Sequence, residues 1–321
     1  MTITIGYTPE YLEWTGSHAS PQRAALALAH IRARAAEDEI DVKILDPVQT
    51  YELGPNGTRA ALREVHDHDY VDRVMGGQLP GHSGDQGRVA TLMFEGTRAL
   101  VKEMESRGMP NEVFFNPQGA KHHAGFAHAS GFCVFNDMAW AAKHFTDQGL
   151  KVAYLDWDAH HGDGVEDLTR DNKKVLTASI HQGGIFPGTG LGSDPKKFVY
   201  NYPLQAGDGD EDLMDCVVTA LDLIADFEPD VLLLAIGADG HVEDPLASLE
   251  FTVEGFGQAG AAVGEYAREA GIPVLVGGAG GYTPFSYTPL AWAEVIMAMH
   301  EQLSEPLDAD KHLFNVPDGA I

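Results

Sequence analysis

The sequence contains little cysteine and no long apolar segment. Cys133 and Cys216 are the two cysteines among 321 residues. Two cysteines cannot build a disulfide framework or a cysteine-based zinc site in a chain this long, and they indicate a reducing compartment. No apolar run approaches the roughly 18 residues of a transmembrane helix, and the amino terminus lacks the pattern of a signal peptide. We therefore expect a cytoplasmic protein with no membrane partner.

Basic residues are also scarce. Lysine and arginine total 21, against 48 aspartate and glutamate residues, which gives a formal net charge of -27 at pH 7. Such a charge repels phosphate backbones, so we expect no nucleic-acid partner. A negative field would instead concentrate cations such as metal ions, polyamines or lysine-rich peptides. A surface adapted to solubility or to high salt has the same composition, and the sequence leaves both explanations open.

Short apolar runs alternate with amphipathic segments along the chain. Hydrophobic residues make up 44% and charged residues 21% of the sequence, which is typical of a folded globular protein. Strands are predicted at 2–7, 41–47, 112–117, 151–158, 174–181, 230–239 and 273–280. Helical spacing predicts helices at 21–36, 89–107, 136–145, 212–227, 254–271 and 289–303. The alternation predicts an α/β fold, namely an open parallel sheet with helices on both faces.

The chain shows no break between domains. Its length would allow about two domains, but no linker or low-complexity segment divides it, so we predict a single domain over 1–321. Two loops rich in glycine and proline, 75–87 and 186–195, are predicted to form one rim. Ligands of open parallel sheets bind at the carboxyl ends of the strands, and the polar residues of this sequence gather there. That edge is the predicted active site.

The densest polar cluster is DWDAHHGDGV, residues 156–165. Asp158 ends a predicted buried strand, His160 lies two residues beyond it, and Asp239 ends another predicted strand. Together they form a set of two carboxylates and one imidazole, which leaves positions for water and substrate on a zinc-like ion. The alternative is a charged loop held by its own hydrogen bonds, but burying so many polar groups without a cation or proton chemistry is costly. Asp244 is expected to be structural.

Two further groups are candidates for proton transfer and for oxyanion binding. His122 and His123 follow the strand at 112–117 and suit proton transfer near neutral pH, with Asp156 and Asp163 as the carboxylates that orient them. The phenol of Tyr282, after the glycine turn GGAGGY, could donate a hydrogen bond to a developing oxyanion. A surface loop for the histidines and simple ring packing for the tyrosine are the alternatives.

Five motifs in order resemble a known family. HHAGFAHASGFCVFND, DWDAHHGDGV, SIHQGGIFPGTG, GADGHVEDPL and GGAGGY are similar to the zinc-dependent histone deacetylases, including bacterial acetoin-utilisation-type deacetylases and acetylpolyamine amidohydrolases. The resemblance extends from about residue 17 to about residue 299. It implies an arginase/deacetylase-like fold and Zn²⁺ bound by three ligands, which are Asp158, His160 and Asp239.

The resemblance also assigns roles to the other site residues. It makes His123 the general base and acid, with Asp163 as its partner, and His122 the electrostatic neighbour, paired with Asp156. Tyr282 would polarise the acyl carbonyl. The implied walls of a tunnel for an acyl-lysine-like chain are Gly131, Phe132 and Phe186. The implied ligands of a K⁺ ion, partly through backbone carbonyls, are Asp156, Asp158, His160, Ser179 and Ile180.

The sequence departs from the family pattern at three places. Ala279 replaces a glycine of the family, and we expect the change to be tolerated. The loop 75–87 does not match the rim of histone-directed members, and Leu246 replaces the acidic gatekeeper of a polyamine-specific branch. His161 follows the pattern without an assigned role.

The leading functional hypothesis is a zinc-dependent deacetylase, in which His123 deprotonates the attacking water. The alternatives are a binuclear manganese ureohydrolase, whose signature DAHHGD resembles, and a non-catalytic protein of this fold that binds acyl amines. The ureohydrolase would require a second carboxylate-rich motif with two aspartates two residues apart near Asp239, and GADGHVEDP has no second aspartate at that spacing. Acetyl-lysine, an acetylated polyamine and another acylated amine all remain open as substrates, and a homo-oligomer is compatible with the sequence.

Overall fold

One parallel sheet organises the molecule. A computed structural model describes residues 1–15, 20–79 and 85–307. All strand pairs within the sheet are parallel. Its eight strands are β1 (Thr2–Gly6), β2 (Asp41–Leu45), β3 (Val113–Asn116), β4 (Val152–Asp156), β5 (Val175–Gln182), β6 (Val199–Leu204), β7 (Val231–Ala235) and β8 (Val274–Gly277).

The order of the strands is β2-β1-β3-β8-β7-β4-β5-β6. Strands from distant parts of the sequence therefore lie side by side at the centre of the sheet. On β4, Asp156 is in register with Ala235 of β7 and with Ser179 of β5. The predicted open parallel sheet is confirmed.

Helices cover both faces of this sheet, as predicted. Along β4, Leu155 packs in a core with α1, α8, α9 and α10, whereas the neighbouring Tyr154 packs in a second core with helices α3 to α7. Because successive side chains of a strand point to opposite faces, both faces of β4 are buried. The helices are α1 (Gln22–Glu37), α2 (Pro47–Leu53), α3 (Pro55–Leu62), α4 (His68–Met75), α5 (Gln86–Ser106), α6 (Asp137–Asp147), α7 (Asp163–Thr169), α8 (Asp210–Phe227), α9 (Val253–Ala270) and α10 (Tyr287–Ser304).

Local sequence signals explain where several helices begin. Asn136 caps α6 by accepting a hydrogen bond from the backbone N–H of Ala139. Asp46 caps α2 in the same way, and Pro47 then occupies the first helical turn, where its missing N–H costs nothing. Among the described residues, no helix combines the length and the apolar character that a membrane crossing requires.

The structure also contains elements that the sequence did not predict. Strand β6 was missed because it is an edge strand, half-buried, with Pro203 inside it. Helices α2, α3, α4 and α7 were missed because seven or eight residues give too few turns for a clear helical period. Of the two loops predicted to form a rim, 186–195 is described, whereas 80–84 lies outside the described residues.

Candidate active site

The candidate site lies at the carboxyl ends of four neighbouring strands. The histidine pair follows β3, the DWDAHHGDGV cluster follows β4, Asp239 follows β7 and Tyr282 follows β8. These strands are consecutive in the sheet, in the order β3-β8-β7-β4. Because parallel strands all end at the same edge, loops that are distant in the sequence converge there.

Three buried side chains form a group that could hold a metal ion. Asp158, His160 and Asp239 each offer one ligand atom, and these atoms lie within 4.8 Å of one another. His160 Nδ1 is 2.8 Å from Asp239 Oδ2 and 3.2 Å from Asp158 Oδ1. Within the described ranges, this is the one such group of three or more ligands.

The charges within this group favour a cation. Burial and the nearby carboxylate of Asp158 raise the pKa of Asp239 to about 6. Burial also opposes the charged form of His160, but Asp239 and Asp158 outweigh it and raise the pKa of His160 to about 11. Two carboxylates this close in a buried site repel each other, and a proton or a cation between them relieves the repulsion. One imidazole nitrogen and two carboxylate oxygens are a donor set that suits Zn²⁺.

Backbone groups around the carboxylates fix their orientation. The N–H of Gly280 donates to Asp158 Oδ2 at 2.6 Å, and the N–H of Ala159 donates to Asp239 Oδ1 at 2.8 Å. A Cβ atom at position 280 would lie 2.3 Å from Asp239 Oδ2 and 2.5 Å from Asp158 Oδ2. The turn after β8 therefore needs glycine at this position, and the space that a methyl group would fill lies against both carboxylates.

The two histidines have different carboxylate partners. His122 Nδ1 is 2.7 Å from Asp156 Oδ2, and His123 Nδ1 is 2.7 Å from Asp163 Oδ1. Asp156 is fully buried, whereas the side chain of Asp163 is 30% exposed. The pairs predicted from the sequence are therefore brought together.

The surroundings of the two rings give them different protonation states. Burial would lower the pKa of His122, but Asp156 and Asp158 raise it to about 9. Burial and the positive charge of His122 lower the pKa of His123 to about 4, despite the hydrogen bond to Asp163. At neutral pH His122 is therefore charged and His123 is neutral, so His123 is the ring that can accept a proton.

A cavity of about 410 Å³ opens beside these groups. His123, His160 and Tyr282 line it together with apolar side chains, which are those of Phe132, Ile185, Phe186 and Leu246. Gly131 also lines the cavity, with a positive φ of 51°, and a Cβ there would lie 2.3 Å from Cδ2 of His123. The three residues predicted as tunnel walls, Gly131, Phe132 and Phe186, all line this cavity.

Tyr282 lies between this cavity and a smaller one. Burial and the charges of Asp239 and Asp158 raise the pKa of Tyr282 well above its ordinary value, so the phenol keeps its proton. Asp244 accepts a hydrogen bond from the Tyr282 backbone N–H at 2.7 Å and lies outside the Asp158–His160–Asp239 group.

The sequence did not point to several side chains of the site. Arg23 is buried and donates from Nη1 to the carbonyl of Gly281 at 2.7 Å; with Lys121 it lines the smaller cavity, of about 20 Å³. Tyr154 donates to Asp156 Oδ2 at 2.6 Å. The alternation of β4 could have found Tyr154, because it lies two residues before Asp156 on the same face. Arg23 lies in the segment where the family resemblance begins, but no role was predicted for it, because its partner Gly281 is far away in sequence.

The residues predicted to bind K⁺ lie on β4, on β5 and in the loop after β4. Ser179 is in register with Asp156, and its Oγ is 2.9 Å from Nδ1 of His181. His161, which had no predicted role, contacts Thr189 Oγ1 through Nδ1 at 2.8 Å and Glu166 through Nε2 at 3.0 Å. It therefore connects α7 to the loop that carries Phe186.

Comparison with known proteins identifies the family. The family model for the histone deacetylase domain matches residues 18–299. The chain belongs to the histone deacetylase family. The resemblance based on five motifs is thus confirmed, and family membership supports a deacetylase activity on acetylated substrates.

Relatives in bacteria, archaea and animals cover most of the chain. Acetoin utilization protein AcuC of Bacillus subtilis is 33% identical over 266 residues, which are 74% of this chain and 68% of that protein. Histone deacetylase 8 of Xenopus tropicalis is 29% identical over 295 residues, 86% of this chain and 78% of the relative. A probable deacetylase of Archaeoglobus fulgidus is 28% identical over 281 residues, with coverages of 80% and 75%.

Proposed function

We propose that this histone deacetylase family member is a zinc-dependent amidohydrolase that removes acetyl or similar acyl groups from lysine side chains or related amines. The observation that carries the proposal is the position of the Asp158–His160–Asp239 group, which borders the same cavity as His123 and Tyr282. A metal centre, a neutral base and an oxyanion donor at one point are the parts that metal-assisted amide hydrolysis requires.

The three buried side chains would hold the metal ion. Asp158, His160 and Asp239 supply three protein ligands, a number typical of catalytic rather than structural zinc sites. When bound, the metal supplies Lewis-acid chemistry: it polarises the acyl oxygen and lowers the pKa of water. The family match and the presence of one ligand group in the described residues favour this reading over a binuclear ureohydrolase.

The histidine pair would transfer the protons. His123 is neutral at neutral pH and faces the cavity, so it takes a proton from the attacking water and then gives it to the amine that leaves. Asp163 holds the ring through Nδ1, which leaves Nε2 for this transfer. His122 stays charged beside Asp156 and stabilises the negative charge that develops on the acyl group.

Tyr282 would bind the acyl oxygen. Its phenol keeps its proton and lines the cavity together with His123 and His160. The oxygen gains negative charge as water attacks, so a hydrogen bond from the phenol becomes stronger in the transition state than in the ground state. The aromatic ring of Tyr282 also forms one side of the cavity.

The cavity lining suits a neutral aliphatic chain. Phe132, Ile185, Phe186 and Leu246 supply apolar surface, which fits the methylene groups of acetyl-lysine or of an acetylated amine. The net charge of -27 favours a substrate that is cationic elsewhere, such as a lysine-rich peptide or a polyamine.

The remaining expectations are part of the proposal. We expect the chain to form a single catalytic domain in the cytoplasm. We also expect K⁺ to bind near Asp156 and Ser179, with Asp158, His160 and Ile180 as further ligands. Replacing K⁺ by Na⁺ in the assay, at constant ionic strength, would test this site.

The proposal is tested by the products of the reaction. Protein loaded with Zn²⁺ is incubated with a panel of acetyl-lysine peptides and acetylpolyamines, and acetate and free amine are both measured. We expect equal amounts of acetate and amine from at least one substrate class, and no product with Asp239→Ala. A wild-type protein that binds these compounds without releasing acetate would instead support a binding protein.

A further inference from the structure

His66 is a buried histidine between α3 and α4, and it has no role in the proposed reaction. Its side chain has no exposed surface. The ring packs against the rings of Phe135 and Tyr70, with centroid distances of 5.5 and 5.8 Å. Such a site is apolar, so both ring nitrogens need hydrogen-bond partners to offset the loss of water.

Both nitrogens bind backbone groups of a single segment. Nε2 accepts a hydrogen bond from the N–H of Asn136 at 2.9 Å, so this nitrogen carries no proton. Nδ1 lies 3.0 Å from the carbonyl oxygen of Gly125 and 3.3 Å from that of Phe126, so this nitrogen carries the proton and donates. The contacts define one neutral tautomer.

The segment that His66 holds follows the histidine pair directly and contains wall residues of the cavity. Gly125 is the second residue after His123, and Asn136 follows Gly131 and Phe132, which line the cavity. The side chain of Asn136 also donates to the carbonyl of Ala124 at 3.0 Å. His66 therefore joins the middle and the end of the loop between β3 and α6.

Other contacts fix the start of this loop. The carboxylate of Asp137 accepts hydrogen bonds from the N–H groups of Ala120 and Lys121, at 3.0 and 2.8 Å. The carbonyl of His122 accepts a hydrogen bond from the N–H of Val165 at 3.1 Å. On the far side of the histidine pair, His66 and Asn136 hold the loop through their side chains, and the phenol of Tyr70 donates to the carbonyl of Val134 at 2.7 Å. The N–H of Asp67, next to His66, also donates to the carbonyl of Phe126 at 2.8 Å.

We propose that His66 is a positioning residue for the proposed deacetylation, which holds the backbone after His123 so that this ring stays aligned between Asp163 and the cavity. The inference rests on the proposed function. His66 touches no group of the reaction itself, and it acts through the carbonyl groups of Gly125 and Phe126 and the N–H of Asn136.

The chemistry of imidazole explains why histidine occupies this position. The ring offers a donor and an acceptor on a rigid frame, which no apolar side chain can replace. A second proton on Nε2 would face the N–H of Asn136 and break that contact. Burial lowers the pKa of His66 to about 4, and it thereby keeps the ring in the neutral form that these contacts need.

Two substitutions separate positioning from packing. His66→Phe keeps the ring shape and removes both hydrogen-bonding atoms, whereas His66→Gln keeps a donor and an acceptor. His300→Phe is the matched control, because His300 is also buried and contacts one backbone carbonyl, that of Met1, on the opposite face of the sheet. Each zinc-loaded, folded variant is assayed for kcat, metal content and backbone hydrogen exchange.

We expect His66→Phe to lower kcat by about 10- to 100-fold at normal metal content, because small displacements of catalytic groups have large effects on rate. Amides of residues 118–136 should exchange about tenfold faster than in the wild type, as the loss of a typical hydrogen bond implies. His66→Gln should recover most of kcat and of the protection. His300→Phe should leave both unchanged.

The exchange measurement keeps this test independent of the proposed function. If the wild type releases no acetate, the deacetylase proposal fails, but faster exchange confined to 118–136 in His66→Phe still supports the anchoring by His66. Unchanged exchange there, or equal kcat in His66→Phe and wild type, would overturn the inference. If His66→Phe does not fold, His66→Leu, which also lacks both hydrogen-bonding atoms, replaces it: exchange about tenfold faster and confined to 118–136 supports the inference, and unchanged exchange there overturns it.

Discussion

At the scale of single residues, the site depends on two adjacent histidines with different charges. His122 and His123 have rings 4.0 Å apart, yet the pKa of the first is raised to about 9 and that of the second is lowered to about 4. The difference arises because Asp156 and Asp158 stabilise the charged form of His122, whereas burial and the charge of His122 oppose protonation of His123. One ring therefore supplies a fixed charge, and the other supplies a base.

This asymmetry predicts an order for two substitutions. His123→Ala should reduce kcat more than His122→Ala does, because direct proton transfer contributes about 10²- to 10⁴-fold in rate. The measurement is kcat with saturating acetyl-lysine peptide at neutral pH, with metal content determined in the same samples. A larger loss for His122→Ala would exchange the proposed roles.

Tyr282 can be tested by removing a single oxygen atom. Tyr282→Phe should lower kcat by roughly 10²- to 10³-fold, as for other single oxyanion donors, whereas KM should change little. The phenylalanine ring keeps the packing of the cavity wall. A variant that binds zinc normally and turns over like the wild type would show that the tyrosine only packs.

At the scale of secondary-structure elements, the turn after β8 brings the backbone against the carboxylates of Asp158 and Asp239. Gly280 has no room for a Cβ atom because Asp239 and Asp158 lie at 2.3 and 2.5 Å from its place. The preceding Ala279 has a φ of 56°, in the left-handed region that glycine adopts most readily. The family's glycine at this position is thus replaced by a residue that adopts the same backbone at a small cost.

Two neighbouring substitutions in this turn should differ in their effect on Zn²⁺ binding. Gly280→Ala should weaken Zn²⁺ binding by about 10- to 100-fold, which is typical when groups that orient metal ligands are disturbed. Ala279→Gly, the matched control, should change the free energy of unfolding by about 1 kcal/mol or less and leave metal binding intact. Isothermal titration with Zn²⁺ measures both variants, and equal affinity for the two would contradict the role of Gly280.

The sequence predicted the long elements and the residues at the strand ends. Buried strands such as Val231–Ala235 are continuous apolar runs, and the carboxylate or histidine that follows each run marks the site edge. The edge strand Val199–Leu204 was missed because its residues are half-buried and give no continuous run. His66 and Arg23 were missed because their partners lie 59 or more residues away, and no local pattern records such contacts.

At the scale of the whole molecule, burial of neutral histidines couples stability to pH. Burial lowers the pKa of His66 and of His181 to about 4, from an ordinary value of 6.5. At these two positions the unfolded chain binds more protons than the folded chain between about pH 4 and pH 6.5. Their contribution to the free energy of unfolding should fall as the pH drops through this range.

His66→Gln should make this pH dependence shallower. One buried histidine contributes a slope of up to about 1.4 kcal/mol per pH unit, and the variant loses that share, while the share of His181 remains. Urea unfolding at pH 5 and pH 6 gives the slope for the wild type and for the variant. The nearby His128, whose charge opposes protonation of His66, is present in both proteins and does not affect the comparison. Identical slopes would show that His66 does not stay neutral in the fold.

A titration of metal-free protein with Zn²⁺, followed by acetate release, tests the central claim most directly. The claim is that one metal centre, formed by Asp158, His160 and Asp239, hydrolyses an acylated amine. Activity should rise linearly and reach its plateau at one equivalent of Zn²⁺ per chain, and Asp239→Ala should stay inactive throughout. A plateau at two equivalents, or full activity without added metal, would contradict it.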